Sequence, residues 1–419
     1  MSDQHPWIRR NLVLLTIDFV SFSVGFTFFD PLVILPAFTR LLTGSELLVG
    51  ALAALRIVFI TLPQVFAASV LAASPKKQPL LVWSSAGGRL PVVIMALVTL
   101  LFGSRFPWLV VGVMLLAVAL FNTSEGLNSI TWPDIVGKLL PARIRGRFLG
   151  TGQLLSSLGA LAAGYLVQRI LALEELPFPR SWALLFGCAS IGLFGSVLAC
   201  SLLRERPGAT ASAHVDVRRS IASLGRYLRA DARLRRVVIV EILLGIASSV
   251  FAFFVLRAQD LVPQAQSALG TYLIVQNLGG MLAAAICGNI VDHVGSWAAV
   301  RVTTVMETLT LALVTFAPLL GATYLVYLGA FALLGFVTGS SWWTFTAYLM
   351  DIADEEHRPS YLAASGVLKA PLFVASLLAG VGYRAATPEV LFGLALLFSI
   401  AALAVSLTLT RMRAGVPVE

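Results

Sequence analysis

Charged residues are scarce in this chain of 419 residues, at 12%, whereas 58% of the residues are hydrophobic. Soluble domains carry about a quarter of charged residues, so this composition excludes a chain whose whole surface faces water. A helix that crosses the hydrocarbon core of a bilayer needs about 20 apolar residues. The length of the chain is therefore better counted in membrane crossings than in soluble domains.

Cysteine and histidine are also rare, with three and four residues. Cys188, Cys200 and Cys287 all lie within apolar runs, which gives neither a disulfide framework nor a metal-binding spacing. The histidines all lie in predicted loops: His5, His214, His293 and His357. We therefore expect no metal site, no other cofactor and no histidine proton relay within the membrane.

Sequence motifs for nucleotide binding and catalysis are missing as well. The chain has no phosphate-binding loop, no metalloprotease motif and no nucleophile elbow. Gly339-Ser340 lies in an apolar segment without a histidine at membrane depth to activate the serine. The net charge of +9 is not accompanied by a basic patch studded with aromatic residues. These absences argue against an enzyme, against ATP as the energy source and against a nucleic-acid partner.

What the sequence does contain is twelve apolar segments, each long enough to cross a bilayer. The first begins at Asn11 and is interrupted by Pro31 and Pro36, so we expect it to tilt or bend. It is too long for the core of a signal peptide, and we expect it to stay in the protein. The pattern predicts an all-α membrane protein of twelve transmembrane helices, in contact with membrane lipids.

The basic residues indicate the orientation of these helices. The segment Arg204–Arg236 alone holds nine arginines. The predicted outer loops hold far fewer basic residues: Arg40, Arg105, Arg180, Arg257 and Arg384. Loops rich in lysine and arginine stay in the cytoplasm. We therefore expect a multi-pass protein of the bacterial inner membrane with both termini in the cytoplasm.

The polar segment in the middle divides the chain into two predicted bundles of six helices, residues 1–203 and 237–419. Residues 204–236 form the expected cytoplasmic linker. Ile221, Leu224 and Leu228 share one face of a predicted amphipathic helix in this linker, with arginines around it. Such a helix suits the surface of an anionic leaflet, and a helix that binds a regulatory partner is the alternative.

The two halves also repeat a local pattern after the fourth and the tenth apolar segments. Each half has an Asp-Ile pair, Asp134-Ile135 and Asp351-Ile352, followed by a charged loop. An aromatic residue, Phe148 or Tyr361, then opens the next segment. Internal repeats of this kind are typical of transporters.

The stretch Gly288-Asn-Ile-Val-Asp292-His-Val-Gly295, between the eighth and ninth segments, is similar to a loop motif of the major facilitator superfamily. The glycines would permit a tight turn and a close helix approach, and Asp292 would cap a helix. Together with the twelve segments and related halves, the chain resembles this superfamily over nearly its whole length. The counterpart in the first half is reduced to Ala-Ala-Ser-Pro-Lys-Lys without an aspartate, which predicts a weaker conformational lock there.

The resemblance implies alternating access of two bundles to a site in the middle of the membrane. Drug–proton antiporters of the superfamily carry an arginine in the fourth helix, where this chain has Asn122. They also carry a Gly-Pro pair in the fifth helix, which is missing here. Multidrug or lipophilic efflux is therefore not favoured, although it remains an alternative, as does a lipid flippase or scramblase.

Charges inside the membrane are costly and mark candidate sites. By residue count, Asp30 and Arg56 lie at one depth, and we expect them within salt-bridge reach. Two further sets share a depth nearer the cytoplasm: Asp18, Arg89 and Glu125 in the first half, and Glu241, Glu307 and Lys369 in the second. The helix arrangement of the superfamily places Asp18, Asp30, Glu125 and Glu241 on cavity-lining helices, with Arg89 and Glu307 outside them. Those four carboxylates are the candidates for proton coupling.

Glu125 is the favoured proton carrier because Asn122 and Asn128 flank it at helical spacing. Asp18 and Glu241 are weaker candidates, since they lie nearer the cytoplasmic ends, where water solvates carboxylates. The remaining candidates for a solute cavity are polar or aromatic: Arg56, Gln276, Asn277, Trp342, Trp343, Tyr348 and Lys369. The sequence thus predicts a monomeric secondary transporter of a small organic solute, coupled to protons, with sodium as the alternative ion.

Overall fold

The computed structural model describes residues 7–205, 207, 228–229, 231–262, 268–321, 323–353 and 358–409, without the side chains of 65–73, 142, 358–360 and 362–364. These residues form helices, and no strand occurs among them. Twelve of their helical stretches are long and apolar enough to cross a membrane. The prediction of an all-α membrane protein with twelve spans is confirmed.

The chain divides into two compact units, and the first comprises Met1–Val215 with Gln264–Ile274. Its described helices carry the first six spans: α1 Ile8–Thr27, α2 Ile34–Thr43, α3 Glu46–Ala73, α4 Gln78–Phe102, α5 Pro107–Leu139, α6 Ala142–Ala172 and α7 Arg180–Ser201. The helices α4 and α5, α1 and α7, α3 and α5, and α4 and α7 pack most closely.

The first apolar segment is interrupted where the sequence predicts a bend. The helix α1 ends at Thr27, and α2 starts at Ile34. Between them, Oδ1 of Asp30 accepts hydrogen bonds from the backbone N–H groups of Leu32 and Val33 at 2.8 and 2.7 Å. Asp30 therefore has a structural role at the start of α2, because it satisfies backbone donors that the break exposes.

The second unit comprises Asp216–Pro263 and Val275–Glu419. The helix α10 Leu269–His293 begins in the first unit and continues in the second from Val275. The other described helices of the second unit are α8 Ala232–Ala247, a 3₁₀ turn Ser248–Phe253, α9 Phe254–Leu261, α11 Ser296–Phe316, a 3₁₀ turn Ala317–Leu319, α12 Thr323–Ile352, α13 Arg358–Lys369, α14 Leu372–Ala385 and α15 Pro388–Ser406. The span Ala232–Leu261 joins α8, the 3₁₀ turn and α9. Most of the predicted linker 204–236, with its amphipathic helix, lies outside the described residues.

The repeated Asp-Ile pairs make equivalent contacts in the two units. In the first, Oδ2 of Asp134 on α5 lies 2.5 Å from Nζ of Lys77, just before α4. In the second, Oδ2 of Asp351 on α12 accepts a hydrogen bond of 2.5 Å from the hydroxyl of Ser296, the first residue of α11. The following isoleucines are buried in the apolar core of each unit. Each repeat thus ties the fourth span of its half to the start of the third.

The loop motif of the second half works differently from its predicted role. Gly295 adopts φ +124°, which favours glycine, and its N–H donates to the carbonyl of Ile290 at 2.9 Å. A side chain at Gly288 would meet open space, so no close approach requires a glycine there. Asp292 is exposed in the last turn of α10, and α11 has no side-chain cap. The prediction that Asp292 caps a helix is therefore wrong, and Ser296 instead bonds Asp351.

In the first half, Glu205 supplies the carboxylate that the loop before α4 lacks. Its Oε2 accepts the backbone N–H groups of Lys77 and Gln78 at 2.8 and 2.7 Å, at the first turn of α4. Its Oε1 lies 2.5 Å from Nζ of Lys138 on α5. A carboxylate at a helix N-terminus is stabilised by free N–H groups and by the helix dipole. The end of the sixth span therefore joins the third and the fourth.

We predict that Glu205→Gln destabilises the protein, because it removes a buried charge that three donors bind. Hydrogen bonds to charged groups contribute about 1.5–3 kcal/mol each, so the Tm of the purified protein in detergent should fall by several degrees. Glu175→Gln, which changes an exposed acid between α6 and α7, is the matched control. Equal Tm values for the two variants would contradict the capping role.

Candidate functional site

A cluster of three charged residues lies inside the first unit, with one residue each from α1, α4 and α5. The guanidinium of Arg89 on α4 is 4% exposed, and its Nη2 lies 3.6 Å from Oε1 of Glu125 on α5. Asp18 on α1 acts electrostatically on the same glutamate. The structure thus brings together the three residues of the first half that the sequence places at one depth.

Arg89 has further partners on α7 that fix its position. Its Nη1 donates hydrogen bonds to the carbonyl of Leu193 at 3.1 Å and to the hydroxyl of Ser196 at 2.9 Å. The guanidinium also lies over the ring of Phe22, 5.4 Å from its centroid, which adds a cation–π contact. Arg89 was predicted to lie outside the cavity-lining helices, at most at the cavity edge. That assignment missed its role as the counter-ion of Glu125, although the shared depth pointed to it.

Asp18 is buried and hydrogen-bonded through both of its oxygens. Oδ2 accepts from Nε1 of Trp132 at 2.7 Å, and Oδ1 accepts from the hydroxyl of Ser196. Ser196 therefore bridges Arg89 and Asp18, because it accepts from the first and donates to the second. The expectation that water solvates Asp18 is wrong, since helices α1, α5 and α7 enclose it.

The asparagines flanking Glu125 have different partners. Nδ2 of Asn128 donates to Oε1 of Glu125 at 3.3 Å and to the hydroxyl of Ser85 at 3.0 Å. Its Oδ1 accepts from Ser84 at 2.8 Å. Asn122 donates to the carbonyl of Val118 on its own helix at 2.7 Å, so the expected bond from Asn122 to Glu125 is not formed. The polar surroundings of Glu125 come from α4 as well as from α5.

Close packing of α4 and α5 lets these side chains meet. Ser124 lies against Gly88, where a Cβ atom would collide with the serine hydroxyl. Only glycine permits this approach, because it has no side chain. The next residue of each helix belongs to the ion pair, Arg89 and Glu125.

The charges of this cluster do not cancel when all three groups are ionised. One guanidinium accompanies two carboxylates, of which Glu125 pairs with it and Asp18 is linked to it through Ser196. With all three groups ionised, one negative charge remains among membrane-spanning helices, where charge is costly. A single proton bound by either carboxylate would make the cluster neutral.

A second polar cluster lies in the second unit. Oε1 of Glu241 on α8 lies 2.8 Å from Nζ of Lys369 on α13, and Oε2 accepts from the hydroxyl of Ser365 at 2.6 Å. The lysine side chain is 40% exposed, whereas the glutamate is buried. The structure brings two members of the predicted second set together, and it shows that Glu241 is enclosed rather than solvated. Glu307, the third member, is on α11.

The other predicted residues lie in varied environments. Arg56 is half-buried and interacts electrostatically with Asp30, and a direct salt bridge between them stays a prediction. Gln276 and Asn277 are half-buried on α10. Their role in a cavity also stays a prediction.

The aromatic candidates on α12 differ in their exposure. Trp342 is 71% exposed, while Nε1 of Trp343 donates to the carbonyl of Gly339 at 2.9 Å. Tyr348 is buried in the apolar core with Val240 and Phe345. Tyr348 is therefore a core residue of its unit and not, as predicted, the wall of a pocket.

The chain belongs to the Major Facilitator Superfamily, whose family model matches residues 17–373. Its fold is that of the superfamily's transporters, and membership indicates a transporter rather than an enzyme. No curated protein matches the sequence.

Several solved transporter structures share this fold. A mutant of the nucleoside transporter NupG has a TM-score of 0.73 and 13% identity, over 96% of this chain and 100% of that one. A D-xylose–proton symporter has a TM-score of 0.71 and 15% identity, over 94% and 96%. The inward-open xylose transporter XylE from E. coli has a TM-score of 0.70 and 12% identity, over 96% and 97%.

We predict that Arg89→Gln lowers the folded yield and Tm strongly, because Glu125 loses its counter-ion and the link through Ser196 to Asp18 is broken. Breaking a buried ion pair from one side costs about 3–5 kcal/mol. Adding Glu125→Gln removes the charge that lost its counter-ion, so the double variant should regain part of the loss. Yield is measured as the monodisperse fraction in size-exclusion chromatography, with the exposed Arg180→Gln as control. Simple addition of the two single losses would contradict the pair.

Proposed function

We propose that this protein is a secondary active transporter that moves a small organic solute by alternating access, coupled to protons. Asp18, Arg89 and Glu125 form the coupling site in this proposal, and Glu125 is the proton carrier. The observation that supports it best is the ion pair of the buried Arg89 with Glu125, which the hydroxyl of Ser196 links to the buried Asp18. A monomer in the bacterial inner membrane, with both termini in the cytoplasm, completes the proposal.

Protonation of Glu125 would change the partners of Arg89. A neutral carboxyl binds a guanidinium more weakly than a carboxylate does, so Arg89 would shift its charge towards Asp18. The hydroxyl of Ser196 already links these two groups. The ion pair between α4 and α5 would weaken while the contact of α4 with α1 and α7 strengthens. Proton binding would thereby alter helix packing within the first unit.

Glu125 suits the role of carrier better than the other paired carboxylates. Glu241 pairs with Lys369 at 2.8 Å and also accepts from Ser365. Asp18 accepts hydrogen bonds through both of its oxygens, from Trp132 and Ser196. Glu125 lies farther from its cation, 3.6 Å from Arg89, and has one neutral donor, Asn128, so a proton on it disturbs fewer contacts. Of the paired residues Glu241 and Lys369, the lysine is the better candidate for contact with a polar solute, because its side chain is 40% exposed and that of the glutamate is 5% exposed.

The proposal names the substrate only as a small organic solute. Two structures of the same fold are named as a nucleoside transporter and a D-xylose–proton symporter, and at such low identity they support the fold alone. They nevertheless give a rational first panel of pentoses, hexoses and nucleosides. Amphiphilic dyes and labelled lipids test the alternatives of lipophilic efflux and of flippase or scramblase activity. Scrambling would appear as lipid movement without an ion gradient.

We predict that Glu125→Gln abolishes accumulation of the solute driven by a pH gradient, because glutamine cannot release a proton. Exchange of labelled for unlabelled solute should persist, since glutamine resembles the protonated acid. Both are measured in proteoliposomes with the purified protein. Glu175→Gln is the control and should behave as wild type. Accumulation by Glu125→Gln at the wild-type rate would place the proton carrier elsewhere.

A further inference from the structure

Glu307 on α11 is a buried carboxyl group that the proposed transport site does not use. The residue is 2% exposed, and its helix packs against α12 and α15 of the second unit. Its Oε1 is buried without a hydrogen-bond partner. The buried acids Asp18 and Glu241 and the half-buried Glu125 all accept hydrogen bonds.

Charged groups on the surrounding elements are engaged elsewhere. Arg301, on α11 itself, donates to the carbonyls of Ser406, Leu407 and Leu409. At the ends of α12 and α15, Asp351 accepts from Ser296, and Glu389 pairs with Arg257. Among the described residues, none forms a hydrogen bond with Oε1 of Glu307. An ionised carboxylate at this position would therefore lack a counter-ion.

The threonine hydroxyl groups of α11 that lie one helical turn from Glu307 already donate hydrogen bonds to other groups. Thr304 and Thr310 donate to the carbonyls of Val300 and Met306, and Thr303 donates to Ser340. With their hydrogens used, these hydroxyls can only accept further hydrogen bonds. A carboxylate is itself acceptor-only, whereas a protonated carboxyl can donate. The hydroxyl face of α11 therefore suits the acid form.

The thiol of Cys287 does not alter this conclusion. It interacts with the hydroxyls of Thr303 and Ser340, and it supplies no positive charge. A buried ionised carboxylate without a cation or donors would cost several kcal/mol, and binding a proton removes that cost.

We propose that Glu307 is a second proton-binding site, which holds its proton inside the second unit independently of Glu125. The site is a carboxylic acid rather than half of an ion pair. It belongs to the second unit, whereas the proposed coupling cluster belongs to the first. Its assignment would survive a failure of the transport proposal.

Infrared spectroscopy of the purified protein at neutral pH tests this proposal directly. The spectrum of Glu307→Gln should lack a carbonyl-stretch band of a protonated carboxylic acid that the wild-type spectrum contains. This band should therefore appear in the difference spectrum of the two proteins. Loss of carboxylate bands instead would overturn the proposal. Glu241→Gln is the matched comparison. Because Glu241 is paired with Lys369, this substitution should remove carboxylate bands from the spectrum.

Thermal stability gives a second, independent measurement. Glutamine has the shape and neutral charge of a protonated glutamic acid, so Glu307→Gln should keep a Tm within about 2 °C of wild type. Glu241→Gln leaves the ammonium of Lys369 without its partner and should lower the Tm clearly more. A larger loss for Glu307→Gln than for Glu241→Gln would show that Glu307 is ionised and paired, which contradicts the proposal.

Discussion

Every charge placed among membrane-spanning helices needs a partner within the protein, because the hydrocarbon offers no hydrogen bonds and little dielectric screening. In the first unit this constraint acts on Arg89. The guanidinium contacts Glu125 on α5, two groups on α7 and the ring of Phe22 on α1. Four helices therefore meet at one cation, and the packing of the unit and the chemistry of the proposed site depend on the same residue.

Three glutamates of the two units meet this constraint in different ways. Glu241 pairs with Lys369, Glu125 pairs with Arg89, and Oε1 of Glu307 is buried without a hydrogen-bond partner. A nearby cation favours an ionised carboxylate, whereas burial without one favours the neutral acid. The three glutamates therefore differ in the partner that each has for a negative charge.

The two halves of the chain preserve one contact and diverge in another. Asp134 and Asp351 both tie the fourth span of their half to the start of the third. The turns next to these contacts differ, because Gly295 provides a left-handed turn in the second half while Glu205 caps α4 in the first. The N-terminus of α4 is thus capped by a carboxylate more than a hundred residues away in sequence, whereas α11 has no side-chain cap.

The sequence alone determined the class of the protein, its twelve spans and the break near Pro31, because hydrophobic length and proline chemistry are local properties. It also placed Asp18, Arg89 and Glu125 at one depth by residue count. Only the tertiary structure decided which side chains pair. In the structure Asn122 bonds the carbonyl of Val118 on its own helix, and Arg89 pairs with Glu125. Tyr348 is buried in the apolar core. The pairing of side chains depends on contacts between segments that are distant in sequence, such as Glu205 with Gln78. The spacing of residues along the chain does not show which distant segments meet.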